Sequence, residues 1–117
     1  MTAINRGQVW LANLNPTRGS EQAGTRPVII FQENTLSKFT TTIITIPVTS
    51  NLRRAALPTC IQIASGEGGL SKESVALCHQ LRVLDKTRLI KKLGQLESST
   101  LAALETTLLF TLGYSIS

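Results

Sequence analysis

One arginine in this chain stands where a fixed positive charge is easiest to use. Gly19-Ser20-Glu21-Gln22-Ala23-Gly24-Thr25-Arg26-Pro27 is polar and punctuated by glycine, and an apolar run, Val28-Ile29-Ile30-Phe31, follows at once. A mobile loop of this kind hands Arg26 to the first turn of a rigid strand. The guanidinium is a planar fork of donors that matches phosphate geometry. Thr49 and Ser50 leave a β-branched run further on, and His79 and Gln80 lie in another strand-like run. A threonine hydroxyl donates to a phosphoryl oxygen or fixes the arginine, and a histidine exchanges protons near neutral pH. If those strands share a sheet, the groups suffice for RNA cleavage without metal. A base activates the ribose 2′-OH for attack on the adjacent phosphorus, cationic donors stabilise the developing charge, and an acid protonates the departing 5′-oxygen. A plainer reading stands beside this one: Arg26 is a surface ion-pair partner and Thr49 a strand residue.

Other chemistries fit the residue types poorly. His79 is the only histidine, and Cys60 and Cys78 are separate, so no ligand cluster has workable metal spacing. Asp85 is the only aspartate, and no serine sits in a GxSxG elbow, which argues against a serine triad. Gly66-Glu67-Gly68-Gly69 lacks the Lys-Ser/Thr and the helix that a phosphate loop needs, and reads as a strand-to-strand connection. The two cysteines lie in strand-like runs and read as small core residues.

Seven elements are expected to position the polar groups. Strands are predicted over Gln8–Leu14, residues 28–33, Thr40–Thr49, Leu57–Ile63, Ser74–Val83 and Leu89–Leu96. Pro27 fits only a strand start or an edge, and Pro47 marks a bulge or an edge near the end of the third strand. Asp85-Lys86-Thr87-Arg88 reads as a turn. The period then changes: Leu101, Leu104, Leu108, Leu109 and Leu112 recur at helical spacing, with Ser98 or Ser99 as cap and Gly113 as stop. Short strands followed by one late helix suggest a small, curled antiparallel barrel.

The chain has 117 residues, enough for one domain, taken as residues 1–117. Its hydrophobic content of 42% fits a globular protein. A formal net charge of +5 and a pI near 9.8 point to a polyanionic partner, most often nucleic acid. No apolar run approaches the roughly 18 residues that span a bilayer. The start, Met1-Thr2-Ala3-Ile4-Asn5-Arg6, has no signal-peptide core, so a cytosolic protein is expected, with no membrane partner.

Four segments together resemble the MazF/PemK/Kid toxins, the endoribonuclease halves of toxin–antitoxin pairs. They are Arg6-Gly7-Gln8-Val9-Trp10, Gly19 to Val28, Pro47-Val48-Thr49-Ser50, and Gln80-Leu81-Arg82-Val83-Leu84-Asp85-Lys86. The Gly19–Val28 segment is the specific one. The resemblance implies a mainly β fold, an SH3-like antiparallel barrel with a C-terminal helix, working as a homodimer. It implies sequence-selective cleavage of single-stranded RNA without metal or cofactor, leaving a 2′,3′-cyclic phosphate and a 5′-hydroxyl. It further implies a cognate antitoxin whose acidic C-terminal segment occupies the RNA groove. Arg26 matches the family's catalytic arginine and Thr49 its catalytic or phosphate-positioning threonine. Ser20, Glu21 and Gln22 match the loop that lies against RNA, and Gln80 a glutamine at the groove. Asn15 and Thr17 belong to the same lid, which runs from Asn15 to Thr25. Ser50, Asn51, Arg53 and Arg54 follow Thr49 and are expected to hold the RNA backbone.

The chain departs from some members at one place. Directly before the glutamine they carry an aspartate or a glutamate, where this chain has His79. Two residues earlier some have a catalytic arginine, where this chain has Leu77. Arginine is a poor general base, because its guanidinium stays protonated, so Arg26 is assigned to charge stabilisation and His79 is the candidate for part of the proton transfer. Two other readings stay open at this point: a CcdB-like toxin that inhibits gyrase, and a noncatalytic RNA-binding barrel.

Overall fold

The computed structural model describes residues 3–114. Seven strands form one curled sheet: β1 Gln8–Asn13, β2 Thr25–Ile30, β3 Thr42–Thr49, β4 Cys60–Ile63, β5 Ser74–Leu77, β6 Arg82–Asp85 and β7 Leu89–Gln95. The order is β4-β5-β3-β2-β1-β7, with β6 also on β3, and every pairing is antiparallel. One edge of β3 is shared. Thr42–Thr45 pair with β6, Val48 and Thr49 pair with β5, and Ile46 and Pro47 between them have no partner on that side. Pro47, which has no N–H to give, stands where the ladder changes partner.

That shared edge corrects the fifth strand. The run Ser74–Val83 is not one strand but β5 and β6 joined by a 3₁₀ turn, Cys78–Gln80, closed by Leu81 N–H donating to the Cys78 carbonyl. A single straight strand could not serve both halves of curled β3. The fourth strand is likewise shorter than Leu57–Ile63. Leu52–Ala56 coil into a 3₁₀ turn in which the Asn51 side chain accepts from Arg53 N–H, and the strand begins only at Cys60. The second strand runs earlier than residues 28–33, because Gln32 turns inward. Its amide donates to Ser37 Oγ and Thr40 Oγ1 and accepts from Ile44 N–H, tying down a one-turn helix, α1 Asn34–Ser37.

Helix α2 runs Ser98–Thr111, and its N-cap lies one residue before the expected Ser98 or Ser99. Glu97 is the extended N-cap residue, so Ser98 and Ser99 fall inside the first turn. Its end follows the expected chemistry. Gly113 takes φ +89°, its N–H donates to the Phe110 carbonyl, and Tyr114 N–H reaches the Leu109 carbonyl, which is the paired closure of a Schellman motif. The apolar stripe is only partly buried. Leu104 and Leu108 join the core with Val9, Ile29, Ile46, Val48 and Ile63, whereas Leu109 and Leu112 are exposed.

The sheet ends, β4 and β7, do not pair with each other, so the barrel is an open one. The gap is filled by the β4–β5 connection. The backbones of Gly68 and Gly69 lie directly on Leu93 and Gly94 of β7, closer than any Cβ could stand.

Candidate active site and RNA interface

Arg26 is the second residue of β2, opposite Ala12 of β1. On its other edge β2 pairs with β3 as Val28↔Pro47, Ile29↔Ile46 and Ile30↔Thr45. Continued two residues, that register sets Arg26 opposite Thr49, on the same face. The ladder has already opened there, at Pro27, and the splayed strand ends form a cleft of about 270 Å³. Arg26, Thr49, Ser50, Ser71, Lys72 and Ser74 supply its polar lining, over an apolar floor that includes Leu11, Val48 and Leu70. Arg26 Nε–H donates to the Ala23 carbonyl at 3.1 Å, which aims the guanidinium from the lid side and leaves both terminal nitrogens for a ligand. Thr49 is buried, and its hydroxyl accepts from Asn51 N–H at 3.1 Å while its own proton stays available.

Several polar residues expected at the RNA surface also shape the loops. Asn15 Oδ1 accepts from Gly24 N–H at 3.0 Å, and a Glu21 carboxylate oxygen accepts from Arg18 N–H at 2.5 Å. Gln80 spans the lid: its carbonyl oxygen accepts from Gln22 N–H at 2.8 Å and its amide donates to the Ser20 carbonyl at 3.1 Å. The lid's base is held by Arg82 on the Leu14 carbonyl at 3.2 Å and by Arg88 on the Asn13 and Asn15 carbonyls. Thr17 and Gln22 are half-buried on the lid, whereas Ser20 is exposed. Asn51 is spent capping its turn; Ser50 and Arg53 are exposed and Arg54 is half-buried.

His79 is not brought to the Arg26–Thr49 cleft. The 3₁₀ turn carries it out of strand alternation, so it does not share a face with buried Val75 and Leu77. Its Nδ1 lies 2.8 Å from Thr59 Oγ1 and 4.0 Å from Cys60 Sγ, and its ring faces a separate hollow of about 200 Å³ with Glu21, Gln22 and Gln80. The cleft residues that sequence reasoning missed are Ser71, Lys72 and Ser74. Their only signal is a polar run between two strands, and only the order β5-β3-β2 sets that run beside Arg26. A wider groove of about 730 Å³, lined from the paired strands β1 and β7 and the turn before β7, presents Trp10, Leu89 and Ile90 with three lysines, and lacks the guanidinium and hydroxyl pair.

The two thiols are chemically quiet. Burial pushes the Cys78 thiol up to about 11, and burial also raises that of Cys60. At pH 8 the thiolate fraction of Cys78 is then about one in a thousand. Labelling with a thiol reagent is expected to modify half-buried Cys60 first and Cys78 only on unfolding. Equal rates in the native protein would contradict the burial.

A family model for "PemK-like, MazF-like toxin of type II toxin-antitoxin system" matches residues 5–112. The chain belongs to this toxin family. Among relatives of this PemK/MazF toxin, Endoribonuclease MazF of Staphylococcus epidermidis is 42% identical over 110 residues, covering 94% of this chain and 92% of that protein. The crystal structure of MazF (Form-I) from Deinococcus radiodurans superposes with a TM-score of 0.84 at 24% identity, covering 97% of this chain and 99% of that one. An endoribonuclease in complex with its cognate antitoxin, from a mycobacterial species, gives 0.82 at 23% identity, with 98% and 100% covered. The open barrel with its late helix is therefore the fold of this toxin family. Among the described residues, no helix is long and apolar enough to cross a membrane.

Proposed function

We propose that this PemK/MazF toxin, an endoribonuclease, cuts single-stranded RNA such as mRNA in the Arg26–Thr49 cleft, by attack of a ribose 2′-OH on the neighbouring phosphorus. The observation that carries the reading is the pair itself: a guanidinium with free terminal nitrogens and a buried hydroxyl, facing each other across splayed strand ends. The fork of Arg26 binds the two non-bridging oxygens as charge grows on them, and the Thr49 hydroxyl donates to one of them. The products are a 2′,3′-cyclic phosphate and a 5′-hydroxyl, and the reaction needs no metal. The lid from Asn15 to Thr25, with Ser20 exposed on it, leads into β2 beside the cleft, while Ser50, Arg53 and Arg54 extend the basic path beyond it. Unpaired bases stack and hydrogen-bond along that path, which is where cut-site choice arises. The toxin acts in the cytoplasm.

Two partners follow. Pro58 of the β3–β4 connection and Phe110 near the end of α2 line one hollow, and Leu52, Leu57, Leu109 and Leu112, on or beside the same two segments, are also exposed. That apolar surface suits a second copy of the chain, giving a homodimer. A basic cleft suits the acidic C-terminal segment of an antitoxin, which competes with RNA for the same charges.

The deciding experiment maps the ends produced from one long single-stranded RNA in EDTA. Discrete cuts with 5′-hydroxyl and 2′,3′-cyclic phosphate ends are expected. Intact RNA, or 5′-phosphate ends, would remove the proposal. His79→Asn is expected to leave the cleavage rate and its pH profile unchanged, because the ring faces away from the cleft. Loss of one limb of that profile would bring the imidazole into the chemistry.

A further inference from the structure

We propose that Lys72 is a second RNA-binding cation of the cleft, holding the phosphodiester next to the one gripped by Arg26. The inference rests on the cleavage site assigned above and extends it to a residue of the β4–β5 connection. Three observations carry it. First, Lys72 lines the same cleft as Arg26, Thr49 and Ser50. Second, its backbone is held on both sides. Ser74 Oγ donates to the Lys72 carbonyl at 2.8 Å, Ser65 Oγ donates to the Ser71 carbonyl at 3.1 Å, and Leu70 just before them is buried. The ammonium therefore swings on a fixed stem at the cleft wall. Third, its charge is not compensated. The adjacent carboxylate, Glu73, accepts from the Gln62 amide on β4, and among the described residues the one ion pair joins Arg6 and Glu105. A surface lysine beside a carboxylate ordinarily spends its charge locally; this one lines the cleft with Arg26 while its neighbour's carboxylate is engaged by Gln62.

Two like charges on the walls of one narrow cleft repel each other, so their arrangement favours an occupant with repeated negative charge. An RNA strand supplies one phosphate per nucleotide. The lysine ammonium is a compact point charge with rotatable donors, suited to gripping a phosphate without demanding one geometry. Arg26, with its fixed fork, suits the reacting phosphate. The division of labour is binding by Lys72 and transition-state stabilisation by Arg26.

The test uses the full-length toxin and a defined single-stranded RNA oligonucleotide that contains one cut site, with kcat and KM measured separately over a series of salt concentrations. Lys72→Ala is expected to raise KM about tenfold, the loss of one charge-assisted contact, and to leave kcat within about threefold and the cut position unchanged. Removing one phosphate contact on a single strand should also flatten the slope of log(kcat/KM) against log[salt] by about 0.7. Lys72→Arg should restore both KM and slope, and Lys72→Glu should weaken binding beyond the alanine variant. An unchanged KM and slope in Lys72→Ala would overturn the inference, as would a fall in kcat at constant KM. A wild-type protein that fails to cut the oligonucleotide would instead remove the underlying assignment of the cleft. A wild type that cuts, with Arg26→Ala inactive and Lys72→Ala normal, would remove only the role of Lys72.

Discussion

Arg26→Ala is expected to lower turnover on single-stranded RNA by on the order of 10²-fold or more, as the loss of a donor aimed at developing charge does elsewhere. The size follows from position. Arg26 is anchored through Nε to the lid carbonyl of Ala23, so its two terminal nitrogens face the cleft already oriented. Little reorganisation remains to be done at the moment of reaction. The same side chain is exposed and carries no core packing, so the variant should melt within about 0.5 kcal/mol of wild type. A large kinetic effect without a stability effect is therefore the signature. Arg26→Lys should recover little, because an ammonium supplies charge without the planar fork. Single-turnover rates on a defined oligonucleotide, beside thermal melts of the same preparations, check both halves. Near-normal turnover in the alanine variant would mean that the catalytic charge lies elsewhere.

The second large effect concerns a residue with no side chain. A Cβ built on Gly94 would stand 2.5 Å from the Gly68 carbonyl carbon and 2.6 Å from Gly69 N, and one on Gly69 would stand 1.9 Å from the Leu93 oxygen. Every one of these neighbours is backbone, so no rotamer change relieves the clash. The crossing is where the β4–β5 connection covers the edge of β7 and fills the gap in the open barrel. Gly94→Ala must push the two segments apart, at a cost of about 3 kcal/mol or more, the upper range for overpacked cores. In a domain of this size that lowers Tm by roughly 10 °C or more. Gly94→Val is expected to accumulate as insoluble protein. Gly19→Ala is the control. Its Cβ would meet nothing within 4 Å, so only the strain of φ +57° remains, about 1–2 kcal/mol. Equal melting points for Gly94→Ala and wild type would show that the crossing gives way. The same connection carries Leu70, Ser71 and Lys72 into the cleft, so a partly folded Gly94 variant should lose RNA binding along with stability.

Local chemistry explains why some of this was readable in the chain and some was not. The strands around Val9, Ile29 and Ile44, the turn after Asp85, and the Gly113 stop all follow from β-branched density, turn residues and the left-handed tolerance of glycine. Each of these acts within a few residues. Arg26 and Thr49 stand out as candidates because a short, specific segment carries one and a strand end carries the other. The errors fall where distant segments decide. Ser74–Val83 has the composition of one strand, yet β3 curls and must be served by two partners, so the chain breaks at Cys78–Gln80. That break, and not any property of histidine, turns His79 from the cleft to Thr59. Leu109 and Leu112 have helical spacing, but they lie round the helix from the covered stripe Leu101, Leu104, Leu108 and Thr111, so they stay exposed.

By itself the sequence determined the family, a β-rich domain closed by one helix, and the loop that delivers an arginine to a strand. Those are set by residue type and short spacing, which act before any long-range contact forms. The tertiary structure alone decided that Arg26, Thr49 and Lys72 line one cleft, that Gln80 latches the lid, and that two glycine backbones fill the barrel's gap. Each of these depends on strand order and register. Those are fixed by burying two apolar faces of one curled sheet at once, a condition on the whole chain that no local segment contains.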